Sequence, residues 1–135
     1  MKDMLNTIYQ RLISNTYIAS MTKDDYGNYR IKYYIYPENG DKTGAFLTIR
    51  PVDVPNEVLH GSDTELSIQH VIQIDVEAKY RNVCKEIQFQ IKKEMKNLGF
   101  GQMSGQGLDE YFEETKRFVD ARRFIGNTAL YDTNY

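Results

Sequence analysis

Two histidines, one cysteine and three adjacent acidic pairs are the side chains of this sequence best suited to catalysis or metal binding. His60 and His70 fall in different patterns, one in a stretch without periodicity and one on the apolar side of an alternating run. A structural zinc site needs ligands spaced as Cys-x-x-Cys or His-x-x-x-His, and neither spacing occurs. Cys84 lies on the apolar stripe of a helical pattern, which predicts a buried core thiol and makes a Cys/His dyad improbable. There is no Gly-x-Ser-x-Gly elbow for a hydrolase. Asp24-Asp25, Asp109-Glu110 and Glu113-Glu114 supply carboxylates, but glycosidic acid–base chemistry needs two of them at a set separation across a cleft. Neighbouring acidic residues on turns read instead as solvated surface. Gly99-Phe-Gly101 opens like a dinucleotide fingerprint, yet no strand precedes it, no helix follows and no Gly-Lys-Ser/Thr closes it. The reading is a non-enzyme with no catalytic residue, no cofactor and no metal.

The elements around these residues can be read from period. Met4, Leu5, Ile8, Tyr9, Leu12 and Ile13 share one stripe and predict a helix over 2–15. Asp24-Asp25-Tyr26-Gly27-Asn28 carries turn chemistry. Residues 29–36, Tyr-Arg-Ile-Lys-Tyr-Tyr-Ile-Tyr, predict a strand that ends at Pro37. A second strand, Ala45 to Arg50, follows the Asn39-Gly40 signal, and the two are expected to pair as an antiparallel hairpin. Periodicity is lost from about 52 to 67, where Asp53, Pro55, Asn56, Gly61, Ser62 and Asp63 predict a long loop.

Ile68, His70, Ile72, Ile74, Val76 and Ala78 alternate with mostly polar residues and predict the clearest strand. Tyr80, Val83, Cys84, Ile87, Ile91, Met95 and Leu98 then hold one helical stripe, stopped by Gly99. The four glycines of 99–107 read as a flexible loop or an irregular edge strand. From Leu108 to Ile125 two templates compete. Tyr111, Phe112, Thr115, Phe118, Val119 and Arg122 fit a helical stripe, whereas Glu113-Glu114-Thr115-Lys116 fits the turn of a hairpin. Residues 127–135 read as a polar terminal arm.

A chain of 135 residues with 41% hydrophobic and 27% charged residues is expected to form one domain, 1–135, around one core. A net charge of −2 supplies no field for nucleic acid. The lone cysteine and the polar first residues point to a reducing cytoplasm, with no signal peptide and no membrane-length apolar run. Eleven tyrosines accompany no tryptophan. Tyrosine suits half-buried strands and surfaces that a partner covers. Lys116-Arg117 and Arg122-Arg123 are interleaved with acidic residues, a mixture suited to ion pairs between subunits. The candidate interface residues are therefore Tyr34 and Tyr36 on the aromatic strand, Asp53, Glu57, His60 and Asp63 in the loop, Arg117, Arg122 and Arg123 in the mixed-charge tail, and Tyr131 in the arm.

Four segments, 31–42, 50–55, 98–102 and 108–124, together with the order of the elements, resemble the tail terminator or tail completion (minor tail) proteins of long-tailed bacteriophages and prophages. The resemblance implies an α+β fold, a mostly antiparallel β-sheet with two main helices packed on one face. It also implies a virion protein, assembled in the bacterial host cytoplasm as a homo-oligomeric, hexameric ring that caps the tail tube. Its partners would be the major tail protein and the head–tail connector proteins, with DNA passing through without sequence-specific contact and no membrane involved. The resemblance tips residues 108–125 towards strands. A neighbouring neck component, a head-closure or head–tail joining protein, is the nearest alternative; a small carboxylate-using enzyme and a generic oligomeric adaptor are the others.

Overall fold

A computed structural model describes residues 3–52, 56–59 and 66–129 of the chain. Its elements run α1 (Met4–Ile13), α2 (Thr16–Thr22), β1 (Ile31–Tyr33), β2 (Phe46–Pro51), β3 (Asn56–Leu59), β4 (Leu66–Ala78), α3 (Arg81–Asn97), β5 (Phe100–Phe112) and β6 (Arg117–Ala129). The strands form a six-stranded sheet ordered β1-β2-β4-β6-β5, with β3 also paired to β4. All pairings are antiparallel except β1 with β2. The α+β class and the mostly antiparallel sheet are as expected.

Local chemistry sets the helix bounds. Asp3 caps α1 through a hydrogen bond from the Leu5 N–H, 3.1 Å. The helix expected over 2–15 stops at Ile13 because Asn15 begins another. Its side-chain oxygen accepts from the Ile18 N–H at 3.0 Å, capping a second short helix that the sequence pattern did not separate. Among the described residues a short α2 thus accompanies the two main helices, α1 and α3. The α3 stripe is as predicted at Cys84, Ile87, Ile91 and Met95, all buried, while Tyr80 at its start is 61% exposed.

Alternation along β4 sends Ile68, His70, Ile72, Ile74, Val76 and Ala78 to the face where α3 packs. Leu47, Ile49, Ile31 and Phe124 join them from β2, β1 and β6, and Ile8, Leu12 and Ile18 close the core from α1 and α2. Each fully buried leucine or isoleucine side chain contributes roughly 1.5–3 kcal/mol. The opposite face, with Thr48, Gln73, Asp75, Val119, Ala121 and Arg123, has no helix on it among the described residues.

Two expectations are corrected. β1 is only Ile31–Tyr33, and it pairs with β2 in parallel, Ile31 with Leu47 and Tyr33 with Ile49. A tight hairpin cannot make a parallel pair. Instead Tyr34 takes a left-handed conformation (φ 68), and residues 34–45 carry the chain back to the starting end. Tyr36 stacks on Phe46 along that return, with ring centroids 4.1 Å apart. Within the loop expected at 52–67, residues Asn56–Leu59 form β3, paired with Leu66–Gln69. Residues 53–55 and 60–65 lie outside the described residues.

The contest over 108–125 resolves as strand–turn–strand: residues 113–116 turn, Lys116 adopts φ 56, and Phe112 pairs with Arg117. The glycine-rich stretch is the irregular edge strand, with a register shift between Gln102 and Gly107. Of the arm expected from 127, Asn127–Ala129 instead continue β6; residues 130–135 lie outside the described residues.

Candidate functional site

Cys84 and His70 are taken up by the core. Cys84 is 1% exposed, its Sγ faces the Phe118 carbonyl at 3.4 Å, and burial pushes its thiol up to about 11. A thiol held protonated is a poor nucleophile. His70 is buried in β4, and burial lowers its pKa, disfavouring the imidazolium. Among the described residues no three His, Cys, Asp or Glu side chains gather as a metal site, and no helix is long and apolar enough to cross a membrane.

The candidate interface residues separate into distinct places. Tyr36 and Arg117 meet around Phe46. The Tyr36 hydroxyl donates to the Asp41 carbonyl, and its pKa is raised by burial and then by the Asp41 charge. Arg117 reaches from the start of β6, its guanidinium carbon 5.2 Å from the Phe46 ring centroid. It donates to the carbonyls of Lys42 at 3.0 Å and Gly44 at 2.7 Å, and its Nε lies 3.1 Å from Glu77. Burial raises the Glu77 pKa, while the Arg117 charge pulls against it. Arg117 therefore fastens the loop before β2 to the sheet. Tyr34 stands 63% exposed at the other end of that loop.

Arg122 and Arg123 point to opposite faces of β6 by strand alternation. Arg123 donates to the Gln73 side chain at 2.9 Å on the helix-free face. Arg122 forks onto Asp120, at 2.6 and 3.0 Å, and that hydrogen bond raises its pKa. Asp53, His60, Asp63 and Tyr131 lie outside the described residues, and of Glu57 only the backbone, paired with Ile68, is described.

Asp120 is 1% exposed and also takes Lys85 of α3 at 2.5 Å; Lys85 reaches on to Asp109 of β5. Burial works against the Lys85 charge, but the two carboxylates outweigh it and its pKa is raised, while Lys85 in turn lowers that of Asp109. Gln88, one turn along α3, donates to the carbonyls of Ile74 and Asp120 at 3.0 and 2.8 Å. These contacts bolt α3 to β4, β5 and β6. A concavity of about 750 Å³ lies between α1 and the segments around β1, and its walls include Tyr9, Tyr29, Tyr33 and Tyr36. Tyr9 meets the rings of Tyr29 and Tyr33 edge-on at 6.5 and 6.3 Å.

No family profile and no curated protein sequence matches the chain. Its fold, however, is found in a virion. A chain of the solved structure described as "Virion of native gene transfer agent (GTA) particle" is similar over 90% of this chain and 91% of its own, with a TM-score of 0.61 and 12% sequence identity. At that identity the likeness is one of fold. It covers nine-tenths of the chain rather than one motif.

Sequence reading missed three features of this surface. Lys85 is a cation on the rim of an apolar stripe, and its role depends on Asp120, an acid at an inward position of a strand not yet assigned. Arg30, 8% exposed, donates to the carbonyls of Ala45, Lys23 and Met21; nothing in its neighbours marks it. Phe89 breaks the polar side of α3 and is 57% exposed, a signal visible in the helical pattern.

Proposed function

We propose that this protein is a structural component of a phage-type virion and, within it, a tail terminator or completion protein that forms a ring at the end of the tail tube. One observation carries the reading: the fold likeness to a virion chain covers nine-tenths of both chains, 90% and 91%. The order and wording of segments 31–42, 50–55, 98–102 and 108–124 point the same way. So does a surface in which arginines and carboxylates fasten loops and strands rather than converge on a cleft. In this reading residues 1–135 act as one unit, the copies assemble in the host cytoplasm, and the ring joins the major tail protein to the head–tail connector. A net charge of −2 per copy is compatible with DNA passing through without being gripped.

Deleting the gene from its parent phage or prophage tests the assignment. The expected phenotype is filled heads without tails, together with tubes of uncontrolled length. Tubes of normal length alongside leaking heads would assign the protein to head closure instead.

A further inference from the structure

The ring reading requires each copy to carry two different patches that fit each other head to tail, and the surface of this chain holds such a pair. The outer side of α3 becomes basic in its second half, where Lys92, Lys93 and Lys96 are all exposed. Among the described residues no carboxylate lies within ion-pair distance of any of them. Phe89 stands beside them, 57% exposed, with the Lys93 Nζ 5.6 Å from its ring centroid.

The opposite character appears at the β5–β6 turn. Glu110, Glu113 and Glu114 are exposed there, likewise with no cation in ion-pair range among the described residues. Tyr111 and Phe112 beside them are 47% and 38% exposed. One patch is three lysines beside an aromatic ring; the other is a turn whose glutamates flank Tyr111, on the α3 face of β5, and Phe112, on the opposite face.

The two patches cannot meet within one copy. The turn lies beyond the Phe112–Arg117 rung, near the start of α3, because Phe118 pairs with Ala78. Lys92 to Lys96 lie towards the end of α3, where Phe100 pairs with Gly126. From strand and helix rises the separation is roughly 25 Å, about three Debye lengths at physiological salt. Complementary patches at opposite ends of one molecule are the arrangement that a head-to-tail contact uses.

We propose that neighbouring copies of this chain join by seating the acidic, aromatic β5–β6 turn of one on the basic, Phe89-bearing half of α3 of the next. Phe89 and one aromatic ring of the turn form the desolvated centre of the contact and the charges its rim, setting partner and register. The proposal rests on the ring reading, and the two are separable by experiment.

Two charge-reversed proteins test it: one carrying E113K and E114K, the other K92E and K96E. All four positions are exposed, so far-ultraviolet circular dichroism should be unchanged, which checks folding. By sedimentation velocity the wild type should run as an oligomer. Each variant alone should lose the oligomer boundary, and mixing the two should restore it through alternating copies. A single chain carrying all four changes should also assemble. Variants that assemble as well as the wild type, or a mixture that stays monomeric, would overturn this contact while leaving the ring reading in place. A wild type that stays monomeric both in solution and on tail tubes would overturn both.

Discussion

Asp120 of β6 is held between Lys85 of α3 and Arg122 of its own strand, with the carboxylate 2.5 Å from the Lys85 Nζ and 2.6 Å from the Arg122 Nε. The acid is 1% exposed, whereas its partners keep 26% and 30%. A buried charge of this kind is tolerated only when paired, and removing its partner or itself unbalances the rest.

Asp120→Ala should therefore destabilise the fold by about 2–3 kcal/mol. That is below the ~3–5 kcal/mol of a fully buried pair, because Lys85 and Arg122 can turn to water. Urea unfolding of the two proteins measures the difference. Losses under about 0.5 kcal/mol would place this cluster among ordinary surface ion pairs.

Glu94 of α3 accepts from the Asn15 amide at 2.8 Å and from the Arg11 guanidinium at 2.8 Å, joining α3 to the junction between α1 and α2. The Asn15 hydrogen bond, then those of Arg11, hold its carboxyl below the ordinary glutamate range, against the pull of burial. The folded state thus binds this proton less readily than the unfolded chain. The resulting stability is complete above the unfolded value of about 4.3 and disappears as the pH falls through the lowered folded value. Glu94→Gln should flatten the acid limb of the stability–pH curve below about pH 5 relative to the wild type. An acid limb of unchanged slope would show that Glu94 carries no such linkage.

Gly107 sits at φ +119 where β5 returns to register, and a Cβ there would run into the Ala121 carbonyl oxygen. Gly107→Ala should cost about 1–3 kcal/mol from backbone strain alone. Gly101, where a Cβ meets nothing within 4 Å and φ is ordinary, is the control. Thermal melts should separate the two alanine variants by several degrees. Equal melting temperatures would contradict the stated geometry of the bulge.

Cys84 should resist thiol reagents in the native protein and react only as fast as the chain opens. Its Sγ is enclosed by β4 and β6 carbonyls, and its pKa stands at about 11. Labelling at pH 7.5 with and without urea measures this. Rapid native labelling would mean that the α3–β6 seam is open.

The legible parts of the fold were those where one face is buried and period decides. β4 could be read from alternation at Ile68 to Ala78, and α3 from the stripe of Cys84, Ile87, Ile91 and Met95. Residues 108–125 stayed ambiguous because Phe118 and Val119 face opposite sides of one strand, and adjacent apolar pairs also suit a helix. The parallel β1–β2 pair could not be read at all. It depends on Tyr34 at positive φ and on Arg30 gathering three distant carbonyls, and neither leaves a local signature. The candidate interface residues were chosen from composition, which carries no geometry. Tyr36, Arg117 and Arg122, read as contacts for a neighbour, spend their polar groups inside their own chain.

The most direct test of the central claim is electron microscopy of tail tubes assembled from the major tail protein and incubated with this protein. Rings should appear at one end of each tube, and capped tubes should stop growing. Bare tube ends at saturating protein, with growth continuing as before, would contradict the account.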